Sequence, residues 1–173
     1  GVVTGTVTTN ITGVTFAGTF SLSINTTTAA VTLPGTTPVT LPAGPYLKVA
    51  GTGVSLTVAG ETLTGNFAFE QYNGQSIGNG APPKIIKIVA TEVALDLAGV
   101  VTLSHGYGAF VIKNGGLAGK LGGTVAVNIP GGDVDFSGTF NVLINNTNSA
   151  VNEQFKVGAD NVTLALPAGP YVK

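Results

Sequence analysis

Residues 14–24 read VTFAGTFSLSI, with Val14, Phe16, Phe20, Leu22 and Ile24 alternating against Thr15, Ala17, Thr19, Ser21 and Ser23. A period of two sends successive side chains to opposite faces of an extended chain. This stretch therefore predicts a β-strand with its apolar face in a core and its hydroxyl face in water. The pattern returns at Val134 to Ile144, with Phe136, Phe140, Val142 and Ile144 against Asp135, Ser137, Thr139 and Asn141. One-sided strands of this kind belong to antiparallel sheets. Phe16, Phe20, Phe136 and Phe140 are accordingly expected to be buried.

The two strands belong to a longer internal repeat. Ile24, Asn25, Thr27, Ala30 and Val31 return as Ile144, Asn145, Thr147, Ala150 and Val151, 120 positions on, and LPAGPYLK at Leu41 to Lys48 returns as LPAGPYVK at Leu166 to Lys173, 125 positions on. Gly5, Thr6 and Val7 match Gly123, Thr124 and Val125 at an offset of 118. Insertions between well-kept blocks are what loops between fixed strands produce, and self-similarity at a long period marks repeat architectures. Residues 1–122 are read as one large period of about three hairpin units, and 123–173 as a partial second copy packed with it as one continuous β structure. A smaller motif, an apolar residue two before and Phe or Leu two after a glycine, occurs around Gly18, Gly65, Gly119 and Gly138. A glycine between two same-face apolar residues predicts close approach by a side chain or a bend in the sheet. Gly53 to Glu70 reads as a hairpin turning near Gly60, with Glu92 to Phe110 as its echo. The fold expected is all-β: antiparallel hairpin repeats forming an elongated sandwich or a solenoid-like structure.

Charged residues make up only 9% of the 173, against about 25% in ordinary domains. None precedes Lys48, there is no arginine, and net charge is −1, so the basic footprint needed for nucleic acid is missing. No run of about 18 apolar residues exists that would form a transmembrane helix. Cysteine and methionine are absent, which suits an extracellular setting and excludes disulfides and thiolate metal sites. Without an initiating Met or signal peptide, the chain is expected to be processed or excised from something longer.

No residue is assigned a catalytic, cofactor or metal role. His105, the sole histidine, lies in SHGYG and is read as a turn or strand-edge residue rather than part of a triad. Asp133 and Asp135 share a strand face, a Ca²⁺ possibility weighed against solvated charges guarding an edge; the first copy lacks them. Asn10, Asn25, Asn145 and Asn161 open N-x-Thr sequons, weighed against plain turn asparagines. LPAGPY is read as a structural corner, with glycan stacking on its tyrosine as the alternative.

Tandem FxGTF, GTGVSLTVAG and LPAGPY blocks in a Thr, Val and Gly-rich, Cys-free background resemble the repeat regions of very large bacterial secreted or surface proteins. The resemblance implies an extracellular or cell-surface, adhesin-like or fibre-like role without catalytic residues. The function expected is non-enzymatic: a structural repeat protein forming a surface stalk or self-assembling filament, with copies meeting head to tail. A glycan-binding adhesin module is the alternative, to be discriminated by whether Tyr46, Tyr72, Tyr107 and Tyr171 cluster in an exposed groove. A small outer-membrane barrel ranks third, opposed by absent Trp and sparse Tyr.

Overall fold

The computed structural model describes residues 1–11, 14–74, 81–113, 115–131 and 135–173, with 9–11 by backbone alone. Every regular element among them is a strand: β1 (Val2–Ile11), β2 (Val14–Asn25), β3 (Val31–Leu33), β4 (Val39–Leu41), β5 (Tyr46–Val58), β6 (Glu61–Asn73), β7 (Lys84–Leu97), β8 (Val101–Lys113), β9 (Gly116–Asn128), β10 (Asp135–Asn145), β11 (Val151–Val157), β12 (Asp160–Leu166) and β13 (Tyr171–Val172). Nine of them form one antiparallel meander in the order β1-β2-β5-β6-β7-β8-β9-β10-β13. The fold is therefore all-β and antiparallel.

Tight turns made by left-handed residues join these strands. Ala59 and Gly60 have φ of 52° and 92°, and Ala98 and Gly99 have 53° and 67°. Two positive φ values in succession make the turn whose twist matches that of the flanking strands, so the chain reverses in two residues. Register slips occur in β5 between Gly51 and Val54, in β7 between Ala90 and Val93, and in β8 between Ser104 and Tyr107. Each holds one left-handed residue: Gly53, Glu92 and His105, with φ of 57°, 53° and 52°. These are β-bulges, which sharpen local twist. His105 is thus an exposed bulge residue inside a strand.

The repeat is visible in the sheet. β9, β10 and β13 answer β1, β2 and β5, so six sheet strands separate equivalent positions. In each copy a hairpin leaves the sheet between the second and third of these strands: β3–β4 in the first and β11–β12 in the second. The departure is held by one asparagine. Asn25 Nδ2 donates to the carbonyls of Ala29 (2.9 Å) and Pro42 (2.7 Å), while its Oδ1 accepts from the Thr27 N–H (2.9 Å) and hydroxyl (2.8 Å). Asn145 repeats all four bonds with Ser149, Pro167 and Thr147. The Gly44 and Gly169 N–H groups donate to the carbonyls of Thr27 and Thr147 as each hairpin returns.

The longer hairpin, β11–β12, lies across the sheet and makes the core. Its seven-residue strands span about 24 Å at 3.4 Å per residue, matching the five interstrand gaps of about 4.8 Å between β10 and β5. Val151, Phe155, Val157, Leu164 and Leu166 press onto Ala50, Ala68, Val89, Ala109, Val111 and Ala118. The four alanines form a shallow bed that a second layer can approach closely. Charge fastens its margin: Lys87 Nζ lies 2.9 Å and Lys113 Nζ 3.6 Å from the Glu153 carboxylate, and Thr91 donates to Asp160 at 2.6 Å.

This core corrects the expected burial of the phenylalanines. The covered face carries Ser21, Ser23 and their ladder partners, not the Phe set. Phe136 is 62% and Phe140 37% exposed, and Phe16 and Phe20 are only half-buried. The hairpin sits where side chains are small, and the bulky apolar residues occupy the other face.

Candidate functional site: the open apolar face and the sheet edges

Cross-strand pairing assembles the phenylalanine face row by row. One row runs through Val3, Leu22, Val49, Phe69, Ile88, Phe110, Gly119, Ile144 and Val172, each opposite the next in register. The rows through Phe16, Val54 and Phe67 are built likewise. Among the described side chains these four rows hold no polar group. Among the described residues charges on this face occur only near strand ends, at Glu61 and Lys84, and Gln71 adds a polar group between Leu47 and Ile86. Not one large apolar side chain of the face belongs to the buried core. Leu22, Val49, Ile88 and Ile112 are 36–40% exposed, so the face meets solvent along its width.

The glycine motif explains the relief of this face. A Cβ added to Gly51 would lie 2.8 Å from the Phe20 ring and from Val54, one on Gly18 3.0 Å from Phe20, and one on Gly65 3.0 Å from Phe67. The Phe110 ring likewise occupies the space over Gly119. Each ring folds down over a neighbouring glycine instead of standing upright, covering backbone that the missing side chain leaves bare. Phe16 and Phe20 stack at 5.5 Å between centroids. The anticipated close approach is therefore by the motif's own phenylalanine at Gly18, Gly65 and Gly138 and by Phe110 of the neighbouring strand at Gly119, and it leaves a low, apolar surface.

Both sheet margins present unpaired backbone. Among the described residues β1 pairs only with β2, and β10 is paired by β13 at Ile144 and Asn145, with Leu143 bonded to Lys173, leaving Asp135 to Val142 bonded on the β9 side alone. β1 carries no charged side chain to deter another strand.

The remaining sequence candidates are dispersed. Asn25 and Asn145 are 5% and 0% exposed with their amide nitrogens fully engaged, so in the folded chain they are anchors closed to glycosylation. Asn161 is exposed beside the β11–β12 tip, whereas the Asn10 side chain lies outside the described residues. Asp135 is exposed, and its neighbour Asp133 also lies outside them, as does most of the loop between Asn73 and Pro83. Among the described residues no three metal-ligating side chains converge, and no helix long and apolar enough to cross a membrane occurs.

All four tyrosines sit on the hairpin face, and they do not make one platform. Tyr46 is buried, with burial first and then the Glu70 carboxylate holding its hydroxyl well above the usual range. Tyr72 lies under Lys87, Tyr171 under Lys173, and Tyr107 under Lys120 while donating to Asn141 at 3.2 Å. No family model, curated protein or solved structure matches the chain.

Proposed function

We propose that this protein is a non-enzymatic structural repeat protein of the cell surface or extracellular space, whose sheet is extended strand by strand into a stalk or filament. One observation carries the reading: after six sheet strands the second copy re-enters the same sheet with the same asparagine anchor and a hairpin inserted at the same point. Such a unit grows by addition, because within the sheet the second period continues directly on the edge that the first one leaves, β9 on β8. The strand directions support head-to-tail joining. β1 and β10 run antiparallel, so a translated copy brings its β1 to the free Asp135–Val142 stretch in the pairing geometry used throughout the sheet. Contacts of this heterologous kind do not close on themselves and generate open arrays.

The shorter hairpin is anchored equally: β11–β12 runs from β10 back over β9 towards β5, and β3–β4 departs from β2 and touches it through β4. Its Val39 is 42% exposed, whereas the buried Leu41 holds its base. The absence of cysteine and the sparse charge support an extracellular setting. Light scattering and negative-stain microscopy of the purified chain test the proposal. Species that lengthen with concentration are expected, and a β1 variant such as Thr6→Pro, which removes an edge donor, should stop them. A stable monomer at every concentration would overturn self-assembly.

A further inference from the structure

The open apolar face is a second surface, independent of the edges. We propose that it is an isologous docking surface for a second copy of this chain, two sheets packing phenylalanine face to phenylalanine face as a sandwich. Seven interstrand gaps from β1 to β10 and the ten residue steps from Val14 to Ile24 give an area of about 34 by 34 Å, roughly 1,100 Å². A stable protein interface needs about 800 Å² per partner, and monomeric proteins rarely expose apolar patches above a few hundred Å². The face therefore exceeds what a dimer requires.

Its chemistry selects another such face. Among the described side chains the four rows hold no polar group, so an occupant must itself be apolar over a comparable area. The hairpin face of another copy does not qualify, since it carries Lys48, Lys87, Lys113, Lys120 and Glu70. Rings folded over Gly51, Gly65 and Gly119 give a low surface that a second sheet can meet at the usual spacing of about 10 Å. Acyl chains fit less well. A membrane-facing sheet places tyrosine and tryptophan at its interfacial margins, whereas here tryptophan is absent and all four tyrosines lie on the opposite face. Free edges also remain unsatisfied in lipid.

Because the chain has no cysteine, single-cysteine variants report the contact cleanly. Ile88 stands on β7, the middle strand of the nine, and is 40% exposed. Under a two-fold face-to-face arrangement, Ile88→Cys should cross-link to itself with a short bis-maleimide, and Ser137→Cys on the hairpin face should not. In a Thr6→Pro background, where edge-wise growth is blocked, sedimentation should show a finite dimer, weakened roughly 30-fold or more by adding Ile88→Lys, as for loss of a central anchor. Circular dichroism checks the fold of that variant; should it unfold, Val49→Lys and the mild Ile88→Cys cross-link decide. A monomeric wild type, a dimer cross-linking through Ser137, or a monomer floating with phosphatidylcholine vesicles would overturn the proposal. A ladder of higher species insensitive to Ile88→Lys would overturn it too, while leaving edge-wise assembly standing.

Discussion

Replacing Phe155 by alanine distinguishes the two faces of the sheet most sharply. Phe155 is 3% exposed, lies beside Ala68 and Val89, and has the Lys87 ammonium 5.6 Å from its ring centroid. Truncating a fully buried phenylalanine costs about 3–5 kcal/mol, transfer and cavity together, and the lost cation–ring contact adds about 0.5–1 kcal/mol. A loss near 4 kcal/mol is a large share of a marginal fold's stability of about 5–15 kcal/mol. Phe136 offers the contrast. At 62% exposed it retains little more than a third of the roughly 1.5–3 kcal/mol that full burial yields, so Phe136→Ala should cost about 1 kcal/mol or less. Urea denaturation followed by circular dichroism, below the concentration at which copies associate, measures both. Hydrogen exchange adds location: in Phe155→Ala the amides of β11 and β12 should lose protection ahead of β6 and β7, since the hairpin is a separate layer held by this cluster. Equal costs for the two variants, or a larger cost at Phe136, would refute the assignment of the core to the hairpin face.

Three further outcomes follow from the same geometry. Asn145→Ala should cost about 3 kcal/mol in thermal or chemical denaturation, because it leaves the carbonyls of Ser149 and Pro167 and the Thr147 N–H without their partner in a fully buried site. Burial pushes the Lys87 ammonium down, but the Glu153 hydrogen bond and charge, with Tyr72, outweigh it and hold Lys87 above its ordinary 10.5. A raised lysine contributes stability that is fully present below the unfolded value and lost as pH climbs through the folded one. The melting temperature should therefore fall above about pH 10.5, and Glu153→Gln should flatten that fall. His105→Gly should gain up to about 1 kcal/mol by removing a side chain from a left-handed bulge position, and His105→Val should lose a similar amount. Melting curves of the pair check the sign.

Alternation in Val14 to Ile24 was enough to read a two-faced antiparallel strand, but not which face would be covered. The period of two is symmetric between faces, and choosing the apolar one assumed that the largest side chains seek the chain's own core. The deciding signal lay elsewhere, in the alanines at 50, 68, 109 and 118, which share the other face and leave room for a second layer. Nothing local marks them as neighbours, since they stand on four strands and meet only once registers are known. The bulge was equally hidden at Glu92, a residue type with no preference for left-handed backbone, and only weakly marked at His105; Gly53 carried the clear local cue.

The phrase LPAGPY was legible as a structural corner, and its repetition has a physical cause. Leu41 and Leu166 are buried at the hairpin base, the Pro42 and Pro167 carbonyls accept from the anchoring asparagines, and Gly44 and Gly169 donate back to Thr27 and Thr147. A Cβ at either glycine would collide with the carbonyl of Asn25 or Asn145, so the backbone closes there only without a side chain. The asparagines that resembled sequons and the phrase that resembled a glycan platform are thus two halves of one clasp. The five-residue difference between the offsets of 120 and 125 falls between the halves, in the hairpin itself. Anchor and reach are therefore separate variables in this fold: the clasp fixes where a hairpin leaves the sheet, and its length sets how many neighbouring strands it covers.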